Sequence, residues 1–196
     1  MPTEPTDTQL LAACRASERW AQRALYERYA PRLLAVARRY VRQLEAAEDV
    51  MAEAWLKAFA KLDSFAGEGS LEGWLRRIVT NEALMHLRKR RLPTAELSPA
   101  VEATEPAPVR VTRGLEQADV ARLVDQLPDG CRVVFNMYEL EGYKHREIAE
   151  ALGISINTSK SQLILAKRKL RAAYIALAAR EGRALRAVPS PLTRKP

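Results

Sequence analysis

An all-α fold, made of two small helical domains joined by a flexible linker, is what this sequence predicts, and three observations predict it. Glycine is rare, at 8 of 196 residues, and no segment alternates apolar and polar residues as strands do. Apolar residues recur instead at helical spacing over most of the chain. Between two such stretches, residues 92–113 carry Pro93, Pro99, Pro106 and Pro108 with almost no large apolar side chain. Such a segment buries too little surface to offset its ordering entropy. The chain therefore divides into a helical domain over 8–91, a Pro-rich linker over 92–113, a second helical domain over 114–174 and a basic tail over 175–196.

The first domain holds four helices. One runs from Thr8 to Ala16, and a second from Glu18 to Arg42 lines Leu25, Tyr29, Leu33, Val36 and Tyr40 along one face. A third, from Ala46 to Leu62, turns Val50, Ala54, Phe59 and Leu62 inward and Asp49, Glu53 and Lys57 outward. Two glycines in residues 63–70 break the pattern. The fourth helix starts at Leu71 and reaches Arg90, with Leu71, Trp74, Leu75, Ile78 and Met85 on its apolar side. Arg77, Asn81 and Arg88 share another side, with Thr80 and Arg91 alongside. Asparagine has poor propensity in mid-helix unless its amide is used. An amide can pair with a base edge while flanking arginines neutralise phosphates. The loop ahead, with Ser64, Phe65 and Gly67, offers a seat for an unstacked base of the kind aromatic side chains provide in single-strand binders. The plainer reading makes Phe65 the anchor of its loop.

In the second domain, helicity resumes over 115–126, and Pro128 opens a further helix that ends near Leu140. Residues 144–171 then read as a helix-turn-helix. Ile148, Ala149 and Leu152 form the apolar stripe of its first helix, and Gly153 sits where the chain must turn through a positive φ. Ser155 is the expected N-cap of the second helix, which buries Leu163, Ala166 and Leu170 and continues to about Ala179. Its other side shows Lys160, Gln162, Lys167, Arg168 and Arg171, residue types that suit base edges and phosphates in the B-DNA major groove.

Net charge of +8 asks for a polyanionic partner. Arg76, Arg77, Arg88, Lys89, Arg90 and Arg91 crowd one segment, and a second basic cluster runs from Lys160 to Arg171. Two cysteines without CxxC spacing, and only His86 and His145, argue against a structural zinc site and suit a reducing cytoplasm. There is no signal-peptide pattern and no apolar run of the roughly 20 residues a membrane helix needs, so no membrane insertion is expected. No nucleophile with its base, Gly-rich phosphate loop or metal cluster is present; the expectation is a protein that is not an enzyme, with no catalytic residue, no metal and no cofactor.

Two segments carry a family resemblance. LDSFAGEGSLEGWLRRIVTNEALMHLRKRR resembles region 2 of bacterial RNA polymerase sigma factors of the extracytoplasmic-function (ECF) class, and LVDQLPDGCRVVFNMYELEGYKHREIAEALGISINTSKSQLILAKRKLR resembles their region 4. The order is the family's, and together the two segments account for most of residues 18–172. The resemblance implies core RNA polymerase and promoter DNA as partners, and allows an anti-sigma factor as a further one. It implies docking on polymerase through Asp49, Glu53 and Trp55. It implies recognition and opening of the −10 element through Ser64, Phe65, Arg77, Asn81 and Arg88, and reading of the −35 element through Thr158, Lys160, Ser161, Gln162 and Lys167. Two departures stand out. Asn157 occupies a usual glycine position, which implies a left-handed residue, and Ser159 replaces a common apolar one, which implies looser packing of the second helix. The rival reading, a stand-alone helix-turn-helix regulator, leaves the Arg77–Asn81–Arg88 stripe without a purpose.

Overall fold

The computed structural model describes residues 4–89 and 117–180, in two units divided at residues 91 and 92. All regular structure among the described residues is helical. The linker over 92–113, Arg90, Arg91 and the tail from 181 onward lie outside the described residues.

In the first unit, Thr6 caps helix α1 (Asp7–Arg15) with a reciprocal box. Its hydroxyl accepts from the Gln9 N–H at 3.3 Å, and its own N–H donates to Gln9 Oε1 at 2.8 Å. The helix stops through Ser17, whose φ of 60° is the only positive value on a non-glycine among the described residues. The N–H groups of Ser17 and Glu18 close back onto the carbonyls of Cys14 and Ala13, so the last turn leaves fewer orphan acceptors. Helix α2 (Arg19–Tyr40) buries all five residues expected on its inner face. Pro31 interrupts its hydrogen-bond ladder on the solvent side, where the packed face keeps the helix running through it. Helix α3 (Leu44–Ala60) buries Val50, Met51, Ala54, Trp55 and Ala58. A 3₁₀ turn (Leu62–Ser64) follows, and helix α4 (Leu71–Lys89) begins under Ser70, whose Oγ accepts from the Gly73 N–H at 3.0 Å. Helix α4 packs on both α2 and α3, and α1 packs on α2.

The apolar side of α4 differs from expectation. Leu71, Leu75, Val79, Thr80, Ala83, Leu84 and Leu87 are buried, whereas Trp74 and Ile78 are half-buried and Met85 is 44% exposed. Helices α2 and α3 select the stripe one residue away from the expected one, and Thr80 goes inward with it.

In the second unit, α5 (Gln117–Asp125) and α6 (Asp129–Phe135) flank Pro128, and α6 continues into a π turn (Asn136–Leu140). Helices α7 (His145–Leu152) and α8 (Ile156–Arg180) form the helix-turn-helix. Gly153 takes φ 67°, as the turn requires. Val124, Leu127, Cys131 and Ala166 form a core against which Phe135, Leu165 and Leu170 pack. Helix α8 passes residue 175 without a break and runs to Arg180, next to the end expected near Ala179. Asn157 is helical rather than left-handed. Ser159 is fully buried, and a 2.9 Å hydrogen bond joins its Oγ to His145 Nδ1 on α7; a polar contact replaces the expected loose packing.

Candidate nucleic-acid interface

Three exposed stripes, two in the first unit and one in the second, carry part of the set singled out from the sequence, and the rest of that set is buried. On α4, Arg77, Asn81 and Arg88 are exposed on one side together with Met85, and Trp74 and Ile78 border it. Trp74 lies seven residues before Asn81 and so shares its side, the opposite of what sequence reading assigned. Thr80 does not belong to this surface. Its side chain is buried, and its Oγ1 has no hydrogen-bond partner among the described residues.

The loop before α4 holds Ser64 in the open, its Oγ donating to the Lys61 carbonyl at 2.6 Å. Phe65 is buried, with its ring centroid 5.5 Å from that of Trp74. It therefore anchors the loop and is not presented for stacking, because the indole of the next helix already covers it. Residues 66–70 stay exposed, with Gly67 and Gly69 at φ 80°.

On α3, Asp49 and Glu53 are exposed as expected, but Trp55 is only 5% exposed. The Trp55 ring packs between Tyr26 and Phe59, at 5.2 and 5.4 Å, which draws it to the core side. Leu56, unremarked in the sequence, is 67% exposed on the carboxylate side, three residues after Glu53 and seven after Asp49. Lys57 is turned sideways, its Nζ 2.6 Å from Glu82 Oε2 on α4.

On α8, Lys160 is exposed and Ser161 and Lys167 are half-exposed, while Thr158 and Gln162 are buried. Gln162 is 1% exposed and accepts a hydrogen bond from Cys131 Sγ at 3.0 Å, so it belongs to the core between α6 and α8. Thr158 is held in the first turn, where Ser155 Oγ accepts from its N–H at 2.9 Å and also meets its hydroxyl. Lys167 Nζ lies 2.9 Å from Glu139. The surface that remains runs through Asn157, Lys160, Ser161, Ile164 and Arg168. Asn157, Ile164 and Arg168 complete it at three, four and eight residues from Lys160, which could have been read from the sequence by starting there.

His145 lies under this surface, its ring 4.5 Å from that of Tyr138. Burial, with Lys160 and Lys167 adding to it, holds its pKa below the ordinary imidazole value. Both cysteines are buried thiols, and among the described residues no group of His, Cys, Asp and Glu is placed to hold a metal ion. No helix of the described residues is long and apolar enough to cross a membrane.

Residues 25–92 match the family described as Sigma-70 region 2, and residues 117–170 match Sigma-70, region 4. Over 168 residues the chain is 32% identical to the ECF RNA polymerase sigma factor SigM of Mycobacterium tuberculosis, covering 85% of this chain and 84% of that one. The chain belongs to the ECF sigma factors. The RNA polymerase sigma-H factor of Pseudomonas aeruginosa is 28% identical over 182 residues, covering 87% of this sigma factor and 94% of its relative. Among solved structures, CnrH in complex with the cytosolic domain of CnrY is similar at 25% identity and a TM-score of 0.48, covering 85% of this chain and 96% of that one. As a sigma factor, the protein directs core RNA polymerase to promoters and initiates transcription there. The family consists of initiation factors that are not themselves catalysts.

Proposed function

We propose a division of labour among the three stripes. The α3 stripe docks on core polymerase, with Asp49 and Glu53 facing basic residues of the enzyme and Leu56 entering an apolar pocket between them. An apolar centre with a charged rim is the usual anatomy of a protein interface. Loop 66–70 and the α4 stripe receive the −10 element, with Arg77 and Arg88 on phosphates and Asn81 on a base edge. The α8 stripe reads the −35 element, with Lys160 at its centre. Residues 92–113 link the two DNA readers. The protein acts in the cytoplasm, performs binding and no covalent chemistry, and is open to an anti-sigma factor that covers the docking stripe.

The observation that carries this reading is Asn81, exposed between two arginines on α4. A base can meet its amide only after leaving the stack, a step of a few kcal/mol in duplex DNA. Asn81→Ala should therefore reduce permanganate reactivity of unpaired thymines while filter binding of duplex promoter changes little. A promoter pre-melted across the −10 element should recover part of the activity. Normal permanganate reactivity would remove Asn81 from strand opening. Asp49→Arg with Glu53→Arg should abolish co-purification with core polymerase, and retained co-purification would move the docking surface elsewhere.

A further inference from the structure

Residues 66–70 are exposed and contain two glycines at positive φ, so nothing within that stretch fixes its shape. Its position is set by its two ends. One end is Ser70 at the cap of α4. The other is the 3₁₀ turn and Phe65, and there a side chain from a distant helix intervenes. Arg15, the last residue of α1, donates from Nη2 to the Phe65 carbonyl at 2.9 Å and to the Leu62 carbonyl at 3.4 Å, and its Nε lies 3.6 Å from Asp63 Oδ1. One guanidinium thus holds the backbone on both sides of the turn.

The other end of α1 is equally fixed. Asp7 accepts from Arg28 Nη1 at 2.8 Å and from the Tyr29 hydroxyl at 2.6 Å, and Arg28 Nη2 donates to the Pro5 carbonyl at 2.6 Å. Burial and the Asp7 bond push the Tyr29 pKa up to about 12, so this hydroxyl remains a donor. Beyond the turn, an open cleft of about 950 Å³ separates α1 from residues 66–70, with Asp7, Arg15, Gly67 and Glu72 on its walls. Apolar packing does not close that gap, and Arg15 is the tie across its rim. Helix α1 also precedes the residues matched to region 2, which begin at 25.

We infer that Arg15 is a positioning residue for promoter opening: by holding the Leu62 and Phe65 carbonyls, it presets loop 66–70 for the single-stranded −10 element. This rests on the reading of that loop as part of the −10 surface. A loop ordered in advance gives up less conformational freedom on binding, and the advantage appears as affinity for the unpaired strand. Charge-assisted bonds to carbonyls are strong enough to hold it.

The experiment uses full-length sigma factor bound to core polymerase, a fluorescent single-stranded −10 oligonucleotide from a promoter mapped by its start site, and the variants Arg15→Ala and Arg15→Lys. Arg15→Ala should weaken oligonucleotide binding about tenfold and slow open-complex formation, with core affinity unchanged and the fold retained at the assay temperature. Arg15→Lys, which keeps one charged donor, should recover part of the loss. A fall in core affinity that parallels the loss, or unfolding at the assay temperature, would make Arg15 a purely structural residue and overturn the inference. Equal loss in both variants would also overturn it. Replacing residues 66–69 with alternating glycine and serine separates the two levels. If that replacement leaves oligonucleotide binding intact, the −10 reading of the loop falls. If it weakens binding while Arg15→Ala does not, the reading stands and the inference about Arg15 falls.

Discussion

Gln162 shows how one residue can be read two ways and decided by arithmetic. Lys160 and Gln162 are two positions apart, about 200° around a helix, so they cannot share a face. Gln162 and Ala166, four apart, do share one, and Ala166 is core. Gln162→Ala should accordingly lower the stability of the second unit by about 1–3 kcal/mol, through lost packing and the lost bond from Cys131 Sγ. Its −35 preference should stay unchanged on a variant promoter library, whereas Lys160→Ala should shift it. A stable Gln162→Ala protein with altered preference would return the residue to the DNA surface. The same arithmetic makes Asn81 and Trp74 neighbours. Other placements were not legible in this way. Trp55 and Phe65 are large aromatics at positions where either surface or core would suit the sequence, and their burial depends on Tyr26 and Trp74, which no local pattern brings to them.

At the scale of elements, the turn between α7 and α8 was readable through Ser155 and Gly153, whereas the caps at Thr6 and Ser70 were not read although caps are local. Thr6, Ser70, Ser155 and Gly153 act within three or four residues of themselves. Which stripe of α4 turns inward was not readable, since Leu71, Leu75 and Val79 compete with Trp74, Ile78 and Met85 and only the packing of α2 and α3 decides. The union of α7 and α8 was half legible: the turn was, the His145–Ser159 bond was not. Burial of that histidine, with Lys160 and Lys167 facing it, gives the helix-turn-helix a pH dependence. Imidazole is neutral in both folded and unfolded chains above its ordinary pKa of about 6.5, and there the stability is whole. As pH falls below that value, the unfolded chain takes up a proton that the folded ring, buried and facing Lys160 and Lys167, resists. Stability should decline until the lowered folded value is passed. Trp20, Trp55 and Trp74 all lie in the first unit, so urea unfolding by far-UV circular dichroism should move to lower urea between pH 7.5 and 5.5 in a component that tryptophan fluorescence does not see. In His145→Gln that component should not move. A shift of equal size in both proteins would place the titrating group elsewhere.

For the whole molecule, the sequence exposed the plan of two helical units around an intervening Pro-rich segment, because composition and period report on it directly. On the proposed assignment of the stripes, the α3–α4 packing joins the two partner surfaces, and it includes one contact that they do not report. Lys57 Nζ and Glu82 Oε2, 2.6 Å apart, connect the helix that carries Asp49, Glu53 and Leu56 to the helix that carries Asn81. Thermodynamic linkage then acts in both directions: whatever factor core polymerase contributes to the affinity for unpaired −10 DNA, that DNA must contribute to the affinity for core. Measured as two dissociation constants for each partner, with and without the other, the factor should be the same both ways and smaller in Lys57→Ala. An unchanged factor would show that the ion pair is structural only. On the proposed assignment, and with a factor above one, a sigma factor that has seized its open strand is by that act harder to detach from its enzyme, and letting go of the DNA loosens both grips.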